Sequence, residues 1–138
     1  MDPVASPQLT LALAQEALRR STVLWLGLPG SATPRLAWYV WADGAACLVH
    51  EGREQLLPGL GDLTTVEISL RSKDKGSLLV RIDAHVEPLE VGSTEWAAVA
   101  AELHARRQSP PDGEAQPARW AEQSRITRLR PFIAAGAV

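Results

Sequence analysis

Two segments of alternating apolar and polar residues constrain the fold of this chain most strongly. They are residues 64–71 (TTVEISLR) and 77–87 (SLLVRIDAHVE), and the charged turn 72–76 (SKDKG) separates them. Successive side chains of a β-strand point to opposite faces, so a period of two predicts two strands, each with one buried and one wet face. Because a short turn joins antiparallel neighbours, the pair predicts a long antiparallel hairpin.

Three apolar runs predict further strands: residues 22–28 (TVLWLGL), 35–42 (RLAWYVWA) and 45–50 (AACLVH). Residues 125–131 (RITRLRP) are expected to form a last strand. Pro29-Gly30 ends the first run, and Asp43-Gly44 lies between the second and the third, which is a strong hairpin signal. We therefore expect the first three runs to form a meander, and about six strands in total.

Helices are predicted on either side of these strands. Residues 9–20 and residues 94–107 both have helical periodicity, with Thr10 and Thr94 as the expected capping residues. A shorter helix is expected over residues 118–123. The second helix carries an apolar stripe formed by Trp96, Val99, Ala100 and Leu103.

This order of elements predicts a mainly β, α+β protein. Strands joined by short turns favour an antiparallel barrel or a strongly curled sheet with flanking helices. The length of 138 residues suits one domain. We expect a flexible arm over residues 1–8, a single domain over residues 9–132 and a C-terminal tail over residues 133–138.

Charge and cysteine content exclude several classes of function. The formal net charge is −2, whereas a nucleic-acid-binding or anionic-membrane-binding domain is usually basic. Cys47 is the only cysteine, so an intramolecular disulfide, a CxxC redox pair and a multi-cysteine zinc site are excluded. No signal-peptide pattern and no long apolar run is present, so we expect a cytoplasmic protein.

No complete catalytic motif occurs in the sequence. Asp83, His85 and Glu87 lie on one face of a predicted strand at two-residue spacing, so the row is either a metal or acid–base site or a solvated or dimer-facing polar edge. Cys47 lies between apolar residues in a predicted strand, which favours a structural thiol. Neither common phosphate-binding glycine motif is present.

The tryptophans raise the question of a second apolar face. Trp25 and Trp41 alternate with the predicted core residues of their strands. Their side chains therefore belong either to barrel packing or to a surface that a second subunit or a planar ligand covers.

Two charged turns contain the candidate anion-binding residues. The segment HEGREQL, residues 50–56, brings together His50, Arg53 and Gln55, and the second turn contains Lys73. A guanidinium group binds phosphate in a bidentate manner. The alternative is that both segments are ordinary solvated turns.

The succession of these elements resembles the pyridoxamine 5'-phosphate oxidase-like family of split-barrel, flavin-binding proteins. The resemblance covers about residues 9–90 and extends loosely to 131. The residues that carry it are Leu18-Arg19-Arg20 leading into 22–28, Pro34, Arg35, Trp38 to Trp41, Asp43, Gly44, Val49, Gly52, Arg53, Leu60 and Thr65 to Ile68.

The resemblance implies an antiparallel split barrel, a homodimer and a cofactor at the subunit interface. Members of the family bind FMN, and in some branches the deazaflavin F420 or haem. Carried onto this chain, it implies that Arg53 and Gln55 hold a phosphate, that Lys73 is a second contact and that Trp41 packs against the ring. His50 lies in the same loop.

The same resemblance leaves the function open between classes. The phosphate loop of the family contains Ser-x-Lys and Asn-Leu, and residues 52–60 of this chain read GREQLLPGL. One hypothesis is an FMN- or F420-dependent oxidoreductase. A second is a cofactor-free binding or structural homodimer on the same fold, and a third is a hydrolase or metal enzyme built on Asp83, His85 and Glu87.

Overall fold

A computed structural model describes residues 6–72, 78–107 and 113–133. Within these ranges the chain forms seven strands, three α-helices and two short 3-10 turns, Leu60–Asp62 and Gly113–Ala115. The strands are β1 (Val23–Gly27), β2 (Arg35–Trp38), β3 (Val40–Ala42), β4 (Ala45–His50), β5 (Thr65–Arg71), β6 (Leu78–Pro88) and β7 (Arg125–Phe132). The helices are α1 (Pro7–Arg20), α2 (Thr94–Arg106) and α3 (Gln116–Gln123).

The seven strands form one antiparallel sheet that curls into a barrel. Its order is β2-β1-β5-β6-β7-β4-β3. The strands at the two ends of this order, β2 and β3, are consecutive in the chain and are separated only by Tyr39. The sheet must therefore curl until its ends meet, and the predicted α+β split barrel with flanking helices is confirmed.

The predicted single strand over residues 35–42 is wrong, because the chain divides at Tyr39 into β2 and β3. β2 pairs with β1, whereas β3 pairs with β4, so the barrel has seven strands and not six. Tyr39 is buried at the division: its N–H donates to the carbonyl of Thr22 at 3.0 Å, and its hydroxyl donates to the carbonyl of Leu18 at 2.6 Å. These two bonds hold the chain where it leaves one part of the sheet for the other.

The long hairpin predicted from alternation is confirmed as β5 and β6. The two strands pair in a register that includes Val66↔Ala84 and Ile68↔Ile82, and these four side chains are buried. Residues 73–77, which include most of the predicted turn, lie outside the described residues. The apolar face of this hairpin forms much of the barrel interior because every second side chain points inward.

Two apolar cores result from this arrangement. The first fills the barrel interior and includes Leu18, Leu24, Leu26, Leu48, Ile68 and Leu129. The second lies between the outer face of β3 and β4 and the helices α2 and α3, and it includes Val40, Cys47, Val49, Trp96, Leu103 and Trp120. All four residues of the predicted α2 stripe are buried in this second core, as expected.

The predicted capping residues, Thr10 and Thr94, are both wrong, because other residues cap the two helices. Ser6 caps α1 by accepting from the N–H of Leu9 at 3.1 Å, and Ser93 caps α2 by accepting from the N–H of Trp96 at 3.1 Å. Helix α1 begins earlier than expected because Pro7 suits the first helical position, where no intrahelical N–H bond is required. None of the helices in the described ranges combines the length and the apolar character that crossing a bilayer requires.

Candidate functional site

A cavity of about 410 Å³ opens where β2 ends, beside the loop that follows β4. We call it the Arg53 pocket, and its lining residues are Trp38, Arg53, Glu54, Gln55, Arg106 and Arg107. The last two lie at the C-terminal end of α2. This volume falls within the range of roughly 300–1,000 Å³ that is typical of small-molecule sites.

The loop after β4 is held in one conformation by its backbone. Glu51 and Gly52 both have left-handed dihedral angles, with φ values of 68° and 67°. A Cβ atom on Gly52 would lie 2.4 Å from the carbonyl oxygen of Gln123, so a larger residue does not fit there. The N–H of Glu51 donates to the carbonyl of Gln55 at 2.8 Å and closes the turn. The exposed side chain of Arg53 therefore projects from a fixed turn.

The pocket is cationic because its one carboxylate is already neutralised. The Glu54 side chain is fully buried and accepts hydrogen bonds from Nη1 of Arg107 and, at 3.0 Å, from Nη2 of Arg119. Arg53 and Arg106 have no ion-pair or hydrogen-bond partner among the residues that the structure describes. Two exposed guanidinium groups at one cavity are suited to an anion such as phosphate or carboxylate.

Gln55 lies in the pocket wall, and its side-chain amide is engaged with the backbone. Its Nε2 donates to the carbonyls of Trp38 at 3.0 Å and Val49 at 3.1 Å. Its Oε1 accepts from the N–H of Trp38 at 3.0 Å. Both amide hydrogens are therefore used within the chain, and neither remains for an anion.

His50 faces a different cavity, of about 230 Å³, which shares no lining residue with the Arg53 pocket. The imidazole is buried; its Nε2 lies 2.8 Å from Oγ1 of Thr127, and its Nδ1 lies 3.1 Å from Oε1 of Glu51. Burial lowers the pKa of His50 and favours the neutral imidazole. The histidine therefore links β4, β7 and the loop from inside the barrel.

Trp41, another predicted site residue, does not line the Arg53 pocket. Trp41 is half-buried and packs against the barrel interior. Lys73 lies outside the described residues. Trp38, which lies in the predicted strand 35–42, is half-buried; it packs against the second core and also lines the pocket. The paired arginines at the end of α2 were the one available sequence signal for the opposite wall.

The row formed by Asp83, His85 and Glu87 lies on the outer face of β6. The His85 ring stacks on Phe132 with 3.8 Å between centroids, and Glu87 accepts a hydrogen bond from Arg130 at 3.0 Å. Within the described part of the chain, no group of three histidine, cysteine, aspartate or glutamate residues is placed to hold a metal ion.

The chain is similar to known proteins in structure and not in sequence. No protein-family model matches the sequence, and no curated protein matches it significantly. The heme storage protein HutZ from Vibrio cholerae is 13% identical with a TM-score of 0.60, and the alignment covers 89% of this chain and 90% of that one.

Two other solved structures are similar to the chain. A conserved hypothetical protein from Mycobacterium tuberculosis is 19% identical over 99% of this chain and 94% of that one, with a TM-score of 0.58. An FAD-binding protein from Mesorhizobium loti is 12% identical over 87% of this chain and 86% of that one, with a TM-score of 0.54. At such identities the similarity establishes a shared fold.

Proposed function

We propose, from the split-barrel fold that this chain shares with the pyridoxamine 5'-phosphate oxidase-like proteins, that it binds a planar, anionic cofactor in the Arg53 pocket. FMN is the first candidate, and F420 and haem are the alternatives. The observation that carries the proposal is the pair of unpartnered arginines, Arg53 and Arg106, within the described residues at a cavity that is bordered by a tryptophan.

The residues of the pocket fit such a group. Each charge-assisted hydrogen bond from Arg53 or Arg106 to a phosphate or carboxylate would contribute about 1.5–3 kcal/mol. Glu54 does not oppose the anion strongly, because Arg107 and Arg119 hold its carboxylate. The half-buried indole of Trp38 offers a planar surface to an aromatic ring. The names of two similar structures, a heme storage protein and an FAD-binding protein, support a ligand of this class.

A bound flavin-type cofactor would supply redox chemistry, and the chain would bind and orient it. Lys73 and Trp41, which the family resemblance implies as contacts, are kept as second-rank candidates in this proposal. Arg53 and Arg106 would hold the anionic end, and Trp38 would fix the plane of the ring.

We further propose that the active form is a homodimer. Val23 and Leu36 on the outer face of β1 and β2 are 42% and 49% exposed, and the half-buried Trp25 lies opposite Leu36 in the ladder. Val23 in turn lies opposite Trp38, so this apolar surface runs to the edge of the Arg53 pocket. A second copy of the chain would cover the surface and add a wall to the pocket.

A cofactor-free binding or structural homodimer is the second candidate. The observation that favours it is that three side chains of the loop already have partners within the protein. Glu51 accepts from the N–H of Leu57 at 2.8 Å, Glu54 pairs with Arg107, and Gln55 accepts from the N–H of Trp38. In this case the loop would serve only to join the helices to the barrel.

Titration of the purified protein distinguishes the two candidates. An absorbance scan detects cofactor that is retained during purification, and FMN, F420 and haem are then titrated with tryptophan fluorescence as the readout. Under the first proposal, Arg53→Ala or Arg106→Ala weakens binding of the preferred cofactor roughly 10- to 100-fold. The matched control, Arg20→Ala at an exposed position of α1, leaves the affinity unchanged. Absence of colour and of binding at high micromolar ligand would refute the cofactor proposal, and sedimentation would then test the dimer alone.

A further inference from the structure

The pairing between β3 and β4 stops at Val40, where the chain divides into β2 and β3. β3 pairs with β4 in the register Val40↔Cys47, Trp41↔Ala46 and Ala42↔Ala45. Extending this register by two residues on each strand would place Trp38 directly opposite Val49. The ladder instead ends at Val40, and Trp38 pairs on its other side with Val23 of β1.

The side-chain amide of Gln55 lies between these two backbones. Its Nε2 donates to the carbonyls of both Trp38 and Val49, and its Oε1 accepts from the N–H of Trp38. The amide thus replaces the ladder bonds at the first position where the strands part. Because it has two donors and one acceptor in a plane, it satisfies backbone groups that the separation would leave without a partner.

The loop holds this amide in place from its own backbone. The carbonyl of Gln55 accepts from the N–H of Glu51 at 2.8 Å, and residue 55 forms a parallel bridge with His50. The left-handed turn at Glu51 and Gly52 reverses the chain so that Gln55 returns beside the end of β4. The position of the amide therefore depends on the same turn that presents Arg53.

We propose that Gln55 is a positioning residue: its amide is a wedge that holds the barrel open between Trp38 and Val49 and thereby sets Trp38 as the wall of the Arg53 pocket. The gap between Trp38 and Val49 lies at the Arg53 pocket, because Trp38 and Gln55 both line that pocket. The role differs from the phosphate contact expected from the family resemblance, since no amide hydrogen remains for a ligand. The effect on ligand binding rests on the proposed function, whereas the wedge itself does not.

Amide hydrogen exchange on the wild-type chain tests the wedge without any ligand. The Trp38 N–H is expected to exchange slowly, at a rate comparable with that of Ile68, a residue inside the β5 ladder. Gln55→Met, which keeps the length of the side chain and removes its hydrogen bonds, is expected to accelerate exchange of Trp38 at least about tenfold relative to Ile68. Gln8→Met, at an exposed position of α1, is the matched control and leaves the ratio of the Trp38 exchange rate to the Ile68 exchange rate unchanged.

The ratio of the Trp38 exchange rate to the Ile68 exchange rate distinguishes a positioning role of Gln55 from general destabilisation of the fold. A residue that only stabilised the fold would accelerate both amides together, and the ratio would stay constant. Free exchange of the Trp38 N–H in the wild-type chain would overturn the wedge even if Gln55→Met failed to fold. A constant ratio in a folded Gln55→Met variant would overturn it as well.

Titration with FMN then tests the consequence for the pocket. Gln55→Met is expected to lower the affinity for FMN about tenfold. The control Gln8→Met is expected to keep the wild-type affinity for FMN. Unchanged FMN affinity in Gln55→Met would overturn the positioning role at the pocket. If the wild-type chain binds none of FMN, F420 and haem while the exchange ratio changes as expected, the proposed function fails and the wedge is supported.

Discussion

The buried carboxylate of Glu54 offers the sharpest single test of how the helices are attached to the barrel. Its side chain is 0% exposed, and its partners Arg107 and Arg119 are 30% and 11% exposed. These partners lie at the end of α2 and in α3, so one carboxylate joins the loop after β4 to both helices. Glu54→Gln keeps the shape of the side chain and removes its charge.

The expected cost follows from the burial of the three groups. Removing one partner of a fully buried ion pair costs about 3–5 kcal/mol because the remaining charge is left uncompensated. Water reaches the two arginines in part, which reduces the penalty. We therefore expect Glu54→Gln to lower the free energy of unfolding by about 2–4 kcal/mol, and the melting temperature by roughly 6–15 °C.

Urea and thermal unfolding of matched variants measure this cost. Glu67→Gln is the control, because Glu67 is 53% exposed and lies 3.5 Å from Arg81 on the surface; its cost is expected to be below about 0.5 kcal/mol. A double-mutant cycle with Arg119→Met is expected to give a coupling energy of about 1–3 kcal/mol. If Glu54→Gln lowers the free energy of unfolding no more than Glu67→Gln does, the Glu54 carboxylate does not attach the helices to the barrel.

Three buried titratable groups, His50, Tyr39 and Cys47, give further predictions. Burial lowers the pKa of His50, so below about pH 6.5 the unfolded chain binds more protons than the folded one and stability falls as the pH drops. In urea unfolding between about pH 7 and pH 5, His50→Gln is expected to reduce this fall in stability, and an unchanged fall would contradict the role of His50. Tyr39 is the only tyrosine, and burial raises its pKa to about 12. Its phenolate absorbance is therefore expected near that pH and not near about 10. Tyr39→Phe, which removes the bond to the Leu18 carbonyl, is expected to cost about 1 kcal/mol in urea unfolding. Burial raises the pKa of the Cys47 thiol to about 11, so a disulfide reagent at about pH 8 is expected to label it only after unfolding, and rapid labelling of the folded chain would contradict its burial.

The elements that depend on local periodicity were predictable from the sequence. Alternation over residues 64–71 and 77–87 indicated the β5–β6 hairpin, because the side chains of a strand change face at every residue whatever the strand packs against. The α2 stripe was predictable for the same kind of reason, since residues three and four apart share a helix face. The end of α1 was also close to its prediction, whereas its start depended on Ser6 and Pro7.

The composition of the site was only partly predictable. Arg53 was identified from its charge in a loop directly after a strand, and the structure places it at a pocket. The second wall, formed by Arg106 and Arg107, lies about fifty residues further along the chain. No local pattern connects the two segments, because the packing of α2 on β4 brings them together.

Tertiary structure alone decided three features of this protein. The run 35–42 is apolar after Arg35, and only closure of the barrel divides it at Tyr39, because its two halves pair with different neighbours. Glu54 is acidic in a loop, which by itself predicts exposure, but arginines from two helices make its burial tolerable. Gln55 was expected to bind phosphate. Its amide bonds to the backbone of Trp38 and Val49 instead, because these two residues are too far apart to pair with each other. Periodicity determines which faces of an element are apolar, whereas the partner of each polar group depends on contacts between residues that are distant in the chain.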